Sequence, residues 1–395
     1  MDKIDEILTR RVEKILPSKE GLKFLMQKKK IRLYQGFDPT GTQLHLGHSI
    51  GLRKLMEFAN LGHEVIFVFG TGTVLVGDPS LRDTARSLIT EEEIEKNIKD
   101  WKSQAAKIVD FKKVKIMKNG DWLRKLTLKE IVSIASKISA VQLFKRESFQ
   151  RRIEKGDTIW YHETMYPLLQ GYDSVVMDVD LEIGGTDQEF NMLIGRELQE
   201  KINSKQKYVL TLPMILGTDG KQMSKTSGNC VWLNDTPKDM FGKIMSIPDE
   251  QIVPYLELVT DIPIDQVREI EELHKLGKLN PLDAKKRLAH QVLSELHGVS
   301  KADKEQVEFE NVFQNRQVPT EIETIKISQA KLPALELFSH PKLLPSRSEV
   351  KRLIGQRAIE VEGKVVSDHK AIIGLPKKGA IVKIGKRKIV KLIPE

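Results

Sequence analysis

The sequence feature that most constrains the fold is a short run of polar and glycine residues between a strand and a helix. Residues 31–34 read as the end of a buried strand, and Gly36-Phe37-Asp38-Pro39-Thr40 follows almost directly. A periodic apolar pattern then predicts a helix from Gly47 to about Gly62. Strand and helix patterns alternate in this way over residues 1 to about 215, so we expect an α/β protein with a doubly wound parallel sheet.

The first turn of the predicted helix carries two histidines with a glycine between them. Such a turn presents unpaired backbone N–H groups and the positive end of the helix dipole, which bind phosphate. His45 and His48 stand three residues apart, so both imidazoles can donate hydrogen bonds to phosphoryl oxygens from one face. Gly47 leaves room for a flat base against the backbone. The pattern predicts a nucleotide site, although two surface histidines could also begin an ordinary helix.

A second motif lies far downstream, in a loop bounded by glycine and serine. Gly220-Lys221-Gln222-Met223-Ser224-Lys225-Thr226-Ser227-Gly228-Asn229 follows an apolar strand over residues 209–216. Lysines on a mobile loop suit a group that must reach charge developing only in the transition state. Solvated surface lysines are the alternative. The order of the two motifs, each after a strand, favours the catalytic interpretation.

The chain resembles the class I aminoacyl-tRNA synthetases, whose two signatures are similar to His-Ile-Gly-His and Lys-Met-Ser-Lys-Ser. It resembles the tyrosyl-tRNA synthetases of bacterial type more closely, and the likeness extends over nearly the whole length. The further motifs that stand in family order are Tyr34-Gln35-Gly36-Phe37-Asp38-Pro39-Thr40, Gly77-Asp78-Pro79-Ser80, Asn119-Gly120-Asp121-Trp122 and Gly184-Gly185-Thr186-Asp187-Gln188.

The chain departs from the family pattern at three positions. Gln222 stands where the second signature usually has its first lysine, and Thr226 replaces its final serine. Leu81 follows Asp-Pro-Ser where glycine is frequent. Only the change at Gln222 concerns the chemistry, and the neighbouring Lys221 is a candidate to supply the missing charge.

Composition agrees with this resemblance and excludes some classes of protein. A length of 395 residues predicts two or three domains, and a net charge of +9 favours anionic partners. The single cysteine, Cys230, excludes an intramolecular disulfide and a cysteine-based zinc site. No apolar run reaches the roughly 20 residues of a membrane span, and the N-terminus lacks a signal-peptide core. We therefore expect a cytoplasmic protein without a membrane partner.

The positive charge is concentrated in the C-terminal tail. Residues 341–395 carry 14 basic and 5 acidic side chains, which leaves +9, the net charge of the whole chain. Ser346 and Glu349 predict a capping box at the start of a helix, and Glu362-Gly363 predicts a hairpin turn. A folded basic face suits the RNA backbone, although a merely solvated basic domain would have the same composition. The tail resembles a small RNA-binding module also found in a ribosomal small-subunit protein.

The motifs divide the chain into four segments. We expect a Rossmann-like catalytic domain over residues 1–235 and a helical domain on the tRNA anticodon side over 236–318. A linker is expected over 319–333, followed by a small basic α+β RNA-binding module over 334–395. The resemblance implies that the helical domain and the tail contact tRNA, and that the catalytic domain forms a homodimer.

A polar stripe on one predicted helix is the candidate amino-acid site. Tyr166, Gln170 and Asp173 fall at i, i+4 and i+7 of a helix that begins near Thr158, so they share one face. Exposure to solvent would also explain polar residues there. The resemblance places Tyr34 and Asp173 at the phenolic hydroxyl of tyrosine, as a donor and an acceptor. It assigns the ammonium group to Asp78, Tyr166, Gln170 and Gln188.

The resemblance also implies which residues bind ATP and act on it. Residues expected to bind ATP are Gly36, Asp38, Gly47, Gly185, Asp187, Met223 and Lys225. Residues expected to stabilise charge on its phosphates are Thr40, His45, His48, Lys225, Lys221, Arg82 and Arg86. Mg²⁺ would be carried by the phosphates, with no protein-bound metal and no tightly bound cofactor. The implied reaction forms tyrosyl-adenylate and then transfers the tyrosyl group to the 3′-terminal adenosine of tRNA(Tyr).

Two other functions share part of this pattern. A tryptophanyl-tRNA synthetase carries both signatures, but it would have no use for Tyr34 and Asp173. A non-catalytic RNA-binding relative would be expected to have lost Asp78, His45 or Lys225, and all three are present.

Overall fold

The computed structural model describes residues 2–79, 89–223, 227–314, 323–385 and 388–395. Its internal contacts divide the chain into two compact units, residues 1–302 and residues 303–395. None of the helices in these described segments is both long and apolar enough to cross a membrane.

The first unit is built on a six-stranded sheet in the order β1-β6-β5-β2-β3-β4. Its strands are β1 (Lys14–Leu16), β2 (Arg32–Phe37), β3 (Glu64–Phe69), β4 (Val114–Lys118), β5 (Leu181–Gly185) and β6 (Tyr208–Leu212). Only β1 runs antiparallel to its neighbour. All but the first residue of β3 are buried, as expected of a strand covered on both faces. These strands confirm the predicted parallel α/β sheet.

The strand order reverses between β5 and β2. From β2 the chain proceeds through β3 to β4 on one side, whereas β5 leads to β6 on the other. Tyr34 in β2 pairs with Glu182 in β5 at this point. Doubly wound sheets bind ligands outside the carboxyl ends of the strands beside such a reversal.

Helices connect these strands and continue along the chain as far as residue 314. They are α1 (Lys3–Ile7), α2 (Lys19–Lys28), α3 (Leu46–Asn60), α4 (Thr73–Val76), α5 (Glu91–Ala105), α6 (Gly120–Leu123), α7 (Leu128–Ala135), α8 (Ala140–Phe144), α9 (Glu147–Glu154), α10 (Tyr161–Met177), α11 (Glu189–Asn203), α12 (Pro237–Met245), α13 (Ile252–Val259), α14 (Ile264–Lys275), α15 (Pro281–His297) and α16 (Val299–Phe309). Short 3₁₀ turns cover Thr186–Gln188 and Asp249–Gln251, and a π turn covers Glu310–Gln314. Capping boxes form at Thr90 with Glu93 and at Thr127 with Glu130, where the sequence has a threonine three residues before a glutamate.

The helices after residue 236 pack within the same unit as the sheet. Arg53 of α3 forms ion pairs with Asp261 and Glu295, each at 2.6 Å, although its own side chain is only 3% exposed. Arg10 donates a hydrogen bond to the carbonyl of Thr260 at 2.6 Å. The expected division at residues 235 and 236 is therefore not a boundary between compact units.

The second unit contains a five-stranded sheet in the order β10-β9-β12-β13-β7 and a two-stranded sheet of β11 and β8. Its elements are β7 (Glu323–Ile327), β8 (Lys331–Pro333), α17 (Ala334–Phe338), α18 (Arg347–Gly355), β9 (Ile359–Val361), β10 (Lys364–Val365), β11 (Ile372–Gly374), β12 (Ala380–Ile384) and β13 (Lys388–Pro394). The predicted hairpin joins β9 to β10, with positive φ at both Glu362 and Gly363.

Two predictions for this unit need correction. The linker expected over 319–333 is wrong from residue 323, because β7 pairs with β13 and β8 pairs with β11. Apolar residues of β7 such as Ile325 lie in the core of the unit, and the sequence pattern of so short a strand is weak. The Ser346 hydroxyl does cap α18, but the carboxylate of Glu349 pairs with Arg352 and does not complete a capping box.

Candidate active site

A cavity of about 520 Å³ lies at the carboxyl ends of β2 and β5, where the strand order reverses. The predicted site residues that line it are Tyr34, Gly36, Asp38, Thr40, His45, Gly47, His48, Asp78, Tyr166, Gln170, Asp173, Gly185, Asp187, Gln188 and Met223. Lys221 does not line this cavity. Arg82, Arg86 and Lys225 lie outside the described residues.

The two histidines lie together at the N-terminus of α3. The backbone N–H of His45 donates to Nδ1 of His48 at 3.1 Å, and the two ring centroids are 3.9 Å apart. Gly47 permits this arrangement, because a Cβ at that position would lie 2.9 Å from Nδ1 of His45. Asn97 of α5 holds the preceding loop by donating to the carbonyl of Pro39 at 2.8 Å. The helix terminus and both imidazoles therefore meet at the edge of the cavity, as a phosphate site requires.

The described part of the lysine loop is anchored beside this helix terminus. The side-chain amide of Asn229 donates to Asp219 at 2.8 Å and to the carbonyl of Gln222 at 2.9 Å. Immediately after the loop, the carbonyl of Val231 accepts a hydrogen bond from the N–H of Leu46 at 2.9 Å. Gln222 itself lines the cavity, so the position that a lysine usually occupies lies at the nucleotide site.

Asp173 is an acid of the cavity with a strongly shifted pKa. Its carboxylate accepts hydrogen bonds from Trp122 Nε1 at 2.8 Å and from Asn119 Nδ2 at 3.0 Å. The residue is 3% exposed, and burial raises the pKa of its carboxyl to about 8. Asp173 is thus not an exposed helix residue, and a carboxyl with so displaced a pKa in a cavity marks a functional site.

Two tyrosines contribute buried hydroxyls to the same cavity. The Oη of Tyr34 lies 3.0 Å from the Oγ of Ser174, and Tyr34 is fully buried. The Oη of Tyr166 donates to Asp38 at 3.0 Å. Burial raises the pKa of both phenols well above the usual range, so both keep their protons. Tyr166 therefore links α10 to Asp38, the predicted ATP residue that directly follows β2.

A second cluster of polar side chains surrounds Asp78. The side-chain amide of Gln188 donates to Asp78 at 2.7 Å and to Asp187 at 2.8 Å. The buried guanidinium of Arg146 forms an ion pair with Asp78 at 3.4 Å. In the described parts of the chain, no three His, Cys, Asp or Glu residues are grouped in a way that could hold a metal ion.

Sequence reasoning missed several residues of the site. Glu182 lines the cavity and is paired with Lys207, and Arg146 holds Asp78. A charged residue inside the apolar strand β5 was a usable signal for Glu182. Arg146 gave no such signal, because it stands in a stretch rich in exposed charges.

These features define a class of protein. The class I tRNA synthetases combine a histidine pair at a helix terminus with a neighbouring lysine loop and a polar cavity at the end of a parallel sheet. The family model described as tRNA synthetases class I (W and Y) matches residues 26–314, and the chain belongs to this family. The particular enzyme named among its relatives is tyrosine–tRNA ligase. That of Thermotoga maritima is 40% identical over 388 residues, which cover 98% of this chain and 96% of the relative.

A second relative and two solved structures are also tyrosyl-tRNA synthetases. The tyrosine–tRNA ligase of Carboxydothermus hydrogenoformans is 40% identical over 401 residues, covering 99% of this chain and 97% of the relative. A truncated mitochondrial tyrosyl-tRNA synthetase of Aspergillus nidulans has a TM-score of 0.67 at 21% identity, covering 79% of this chain and 93% of that chain. Tyrosyl-tRNA synthetase of Archaeoglobus fulgidus, solved with L-tyrosine, has a TM-score of 0.62 at 22% identity, covering 77% and 99%. The structural likeness confirms the fold.

Proposed function

We propose that this chain is a tyrosine–tRNA ligase, which activates L-tyrosine with ATP and transfers it to tRNA(Tyr). The observation that carries the proposal is that Tyr34 and Asp173, both buried, line one cavity and suit a phenolic hydroxyl. Identity of 40% with two tyrosine–tRNA ligases over almost the whole chain supports the same specificity.

The polar end of the cavity would select tyrosine against phenylalanine. A site with buried polar groups that must pair with a substrate hydroxyl rejects the analogue that lacks it, a rule known from a tyrosyl-tRNA synthetase itself. The ammonium group of tyrosine would lie by Asp78 and Gln188, with Tyr166 and Gln170 beside it. The negative charge of Asp78 suits that cation.

The first step of the reaction needs positioning and charge stabilisation. A carboxylate oxygen of tyrosine attacks the α-phosphorus of ATP, and a new P–O bond forms. The bond from the α-phosphorus to the oxygen that bridges it to the β-phosphorus breaks, and pyrophosphate leaves with that electron pair. No general base is required, because the tyrosine carboxylate is already ionised at neutral pH. A ribose hydroxyl of the terminal adenosine of tRNA then attacks the carbonyl carbon of tyrosyl-adenylate and forms the ester bond. The bond from that carbon to the phosphate oxygen breaks, AMP leaves with the electron pair, and the hydroxyl proton is released to solvent.

The residues of the nucleotide end have separate proposed roles. Adenine would lie against Gly47, near Gly36 and Met223, and the ribose by Gly185 and Asp187. Charge that builds on the β- and γ-phosphates would be stabilised by Thr40, His45, His48, Lys225, Lys221, Arg82 and Arg86. Mg²⁺ would arrive with ATP and neutralise part of the phosphate charge.

A surface on helices α7 to α10 supports a homodimer. Its exposed apolar side chains include Leu128 at 77%, Val132 at 58%, Val141 at 68% and Tyr161 at 82% exposure. Apolar groups concentrated within so short a stretch mark an interaction surface, and a second copy of the chain is the proposed occupant. Val141→Asp should move the protein from dimer to monomer in sedimentation velocity, and an unchanged dimer would contradict this assignment.

The second unit would bind tRNA. Its exposed basic side chains include Lys351, Lys364, Lys377 and Lys378. Phosphate contacts from such side chains supply most of the affinity for nucleic acid. A tRNA substrate also fits the proposed location in the cytoplasm.

Transfer of labelled amino acid to tRNA tests the proposed function. With ATP and bulk bacterial tRNA, the protein should attach labelled tyrosine to tRNA through an alkali-labile ester. Attachment of tryptophan would support the alternative specificity within the family. Attachment of neither would show a non-catalytic RNA-binding relative.

A further inference from the structure

We propose that the buried ion pair between Lys207 and Glu182 positions the tyrosine site by fixing the side chains of Gln170 and Tyr34. The proposal deepens the proposed function and rests on it. It assigns two positioning residues to the amino-acid end of the cavity, and one of them, Lys207, does not itself line the cavity.

The pair joins the amino ends of two neighbouring strands of the sheet. Glu182 is the second residue of β5, and Lys207 immediately precedes β6. Glu182 is 1% exposed and Lys207 is fully buried, and Nζ of Lys207 contacts Oε2 of Glu182. Burying both charges costs free energy that their attraction recovers only in part, so such a pair is a weak source of stability. A role at the site would explain why the charges are there.

Both members of the pair hold residues of the cavity. Oε1 of Glu182 accepts a hydrogen bond from the amide of Gln170 at 3.0 Å. Oε2 of Glu182 accepts from the hydroxyl of Ser174 at 3.3 Å. Lys207 donates to the oxygen of the same hydroxyl at 2.8 Å, and that oxygen lies 3.0 Å from Oη of Tyr34. The pair is thus one contact from Gln170 and two contacts from Tyr34.

The charges also determine the direction of these hydrogen bonds. An ionised Glu182 can only accept and a protonated Lys207 can only donate, so the hydrogen of Ser174 is directed at Glu182. The hydroxyl of Tyr34 then donates to Ser174 at 3.0 Å, a shorter distance than the 3.5 Å to the carbonyl of Gln170. Its oxygen is therefore presented to a ligand as an acceptor, and not as the donor that the sequence resemblance implied. Because this orientation exists before the substrate binds, no reorganisation is required at binding.

Two double variants separate positioning from stability. The apolar double variant, Glu182→Leu with Lys207→Met, removes both the acceptor for Gln170 and the partner of Ser174. The amide double variant, Glu182→Gln with Lys207→Met, also removes the charges but keeps a side chain that can form hydrogen bonds with Gln170 and Ser174. Lys54→Met is the matched control, because Lys54 is equally buried and paired with a carboxylate but does not line the cavity.

The readouts are thermal stability and ATP–pyrophosphate exchange at varied tyrosine, phenylalanine and ATP. We expect the apolar double variant to raise KM for tyrosine about tenfold and to reduce the preference over phenylalanine, with KM for ATP little changed. The amide double variant should recover only the part of this loss that comes from the acceptor for Gln170, because it lacks the charges that orient the hydroxyl of Ser174. Lys54→Met should leave both substrate KM values near those of the wild type.

The proposal is overturned if the apolar double variant folds and keeps the KM for tyrosine and the preference over phenylalanine. If that variant does not fold, Ser174→Ala decides, because it breaks the link to Tyr34 and leaves the ion pair in place. An unchanged preference over phenylalanine in Ser174→Ala would also overturn the proposal. A wild-type protein that shows no exchange with tyrosine would instead contradict the proposed function.

Discussion

At the scale of single residues, Asp173 owes its chemistry to its surroundings. It lies on α10, beneath donors from Trp122 and Asn119, and burial raises the pKa of its carboxyl to about 8. Tyr34 contributes one neutral hydroxyl from the neighbouring strand β2. Removing the carboxyl of Asp173 leaves two buried donors unpaired, whereas removing the hydroxyl of Tyr34 removes a single neutral group.

We expect Asp173→Ala to damage tyrosine activation far more than Tyr34→Phe. Tyr34→Phe keeps the ring and removes one hydrogen bond, so discrimination against phenylalanine should fall by about 0.5–1.5 kcal/mol. Asp173→Ala removes a hydrogen-bond partner worth about 0.5–1.5 kcal/mol and also leaves two buried donors unpaired, at about 1–3 kcal/mol each. Rates of adenylate formation with tyrosine and phenylalanine measure both effects. Unchanged ratios in both variants would remove Asp173 from the tyrosine site.

The displaced pKa of Asp173 predicts how stability depends on pH. Between about pH 4 and pH 8 the folded chain keeps a proton on Asp173 that the unfolded chain has released, so stability falls as the pH rises. Asp173→Asn carries no such titration. From pH 5 to pH 8, the unfolding free energy of Asp173→Asn should therefore gain about 1 kcal/mol or more relative to wild type. Urea denaturation at the two pH values measures the gain, and a constant difference would contradict it.

At the scale of elements, the sequence predicted the helices and turns that are determined by neighbouring residues. The helix predicted from Gly47 to about Gly62 is α3, and the predicted turn at Glu362-Gly363 joins β9 to β10. The sequence pattern did not predict contacts between residues that are far apart in the chain. Strand β7, which the sequence pattern left within a linker, is held by pairing with β13. The same limit explains why Arg146 and Lys207 were missed, since each reaches the site through a tertiary contact.

The lysine loop belongs to this scale, and Lys225→Ala tests it. The anchoring of the loop by Asn229 beside α3 supports a role for Lys225 in transition-state charge stabilisation. We expect the rate of adenylate formation to fall by about 10²-fold or more, with tyrosine affinity nearly unchanged. Pre-steady-state fluorescence can separate the two. Gln222→Lys, the control in the same loop, should be neutral or faster, and a loss confined to tyrosine affinity would contradict the role of Lys225.

At the scale of the whole molecule, activation and tRNA binding are assigned to different units. The cavity lies within residues 1–302, and the second unit, residues 303–395, contains the basic tail. The family match ends at residue 314, before the strand β7 that completes the second sheet. This division predicts that the two activities can be separated.

Truncation after residue 314 should leave tyrosine-dependent pyrophosphate exchange largely intact and severely weaken tRNA charging. The deleted segment contains the excess positive charge, and phosphate contacts make RNA affinity strongly dependent on salt. Exchange and charging assays at two salt concentrations compare the truncated and full-length proteins. Equal charging by both at moderate salt would show that the basic unit is dispensable for tRNA.

The central claim is that this cavity activates tyrosine, and ATP–pyrophosphate exchange with each of the twenty amino acids tests it most directly. Buried Tyr34 and Asp173 are polar partners for one hydroxyl at the end of an aromatic side chain. We predict exchange with tyrosine and, at equal concentration, none above background with phenylalanine or tryptophan. Exchange supported by tryptophan, or by tyrosine and phenylalanine equally, would contradict the assignment of these two residues and with it the proposed function.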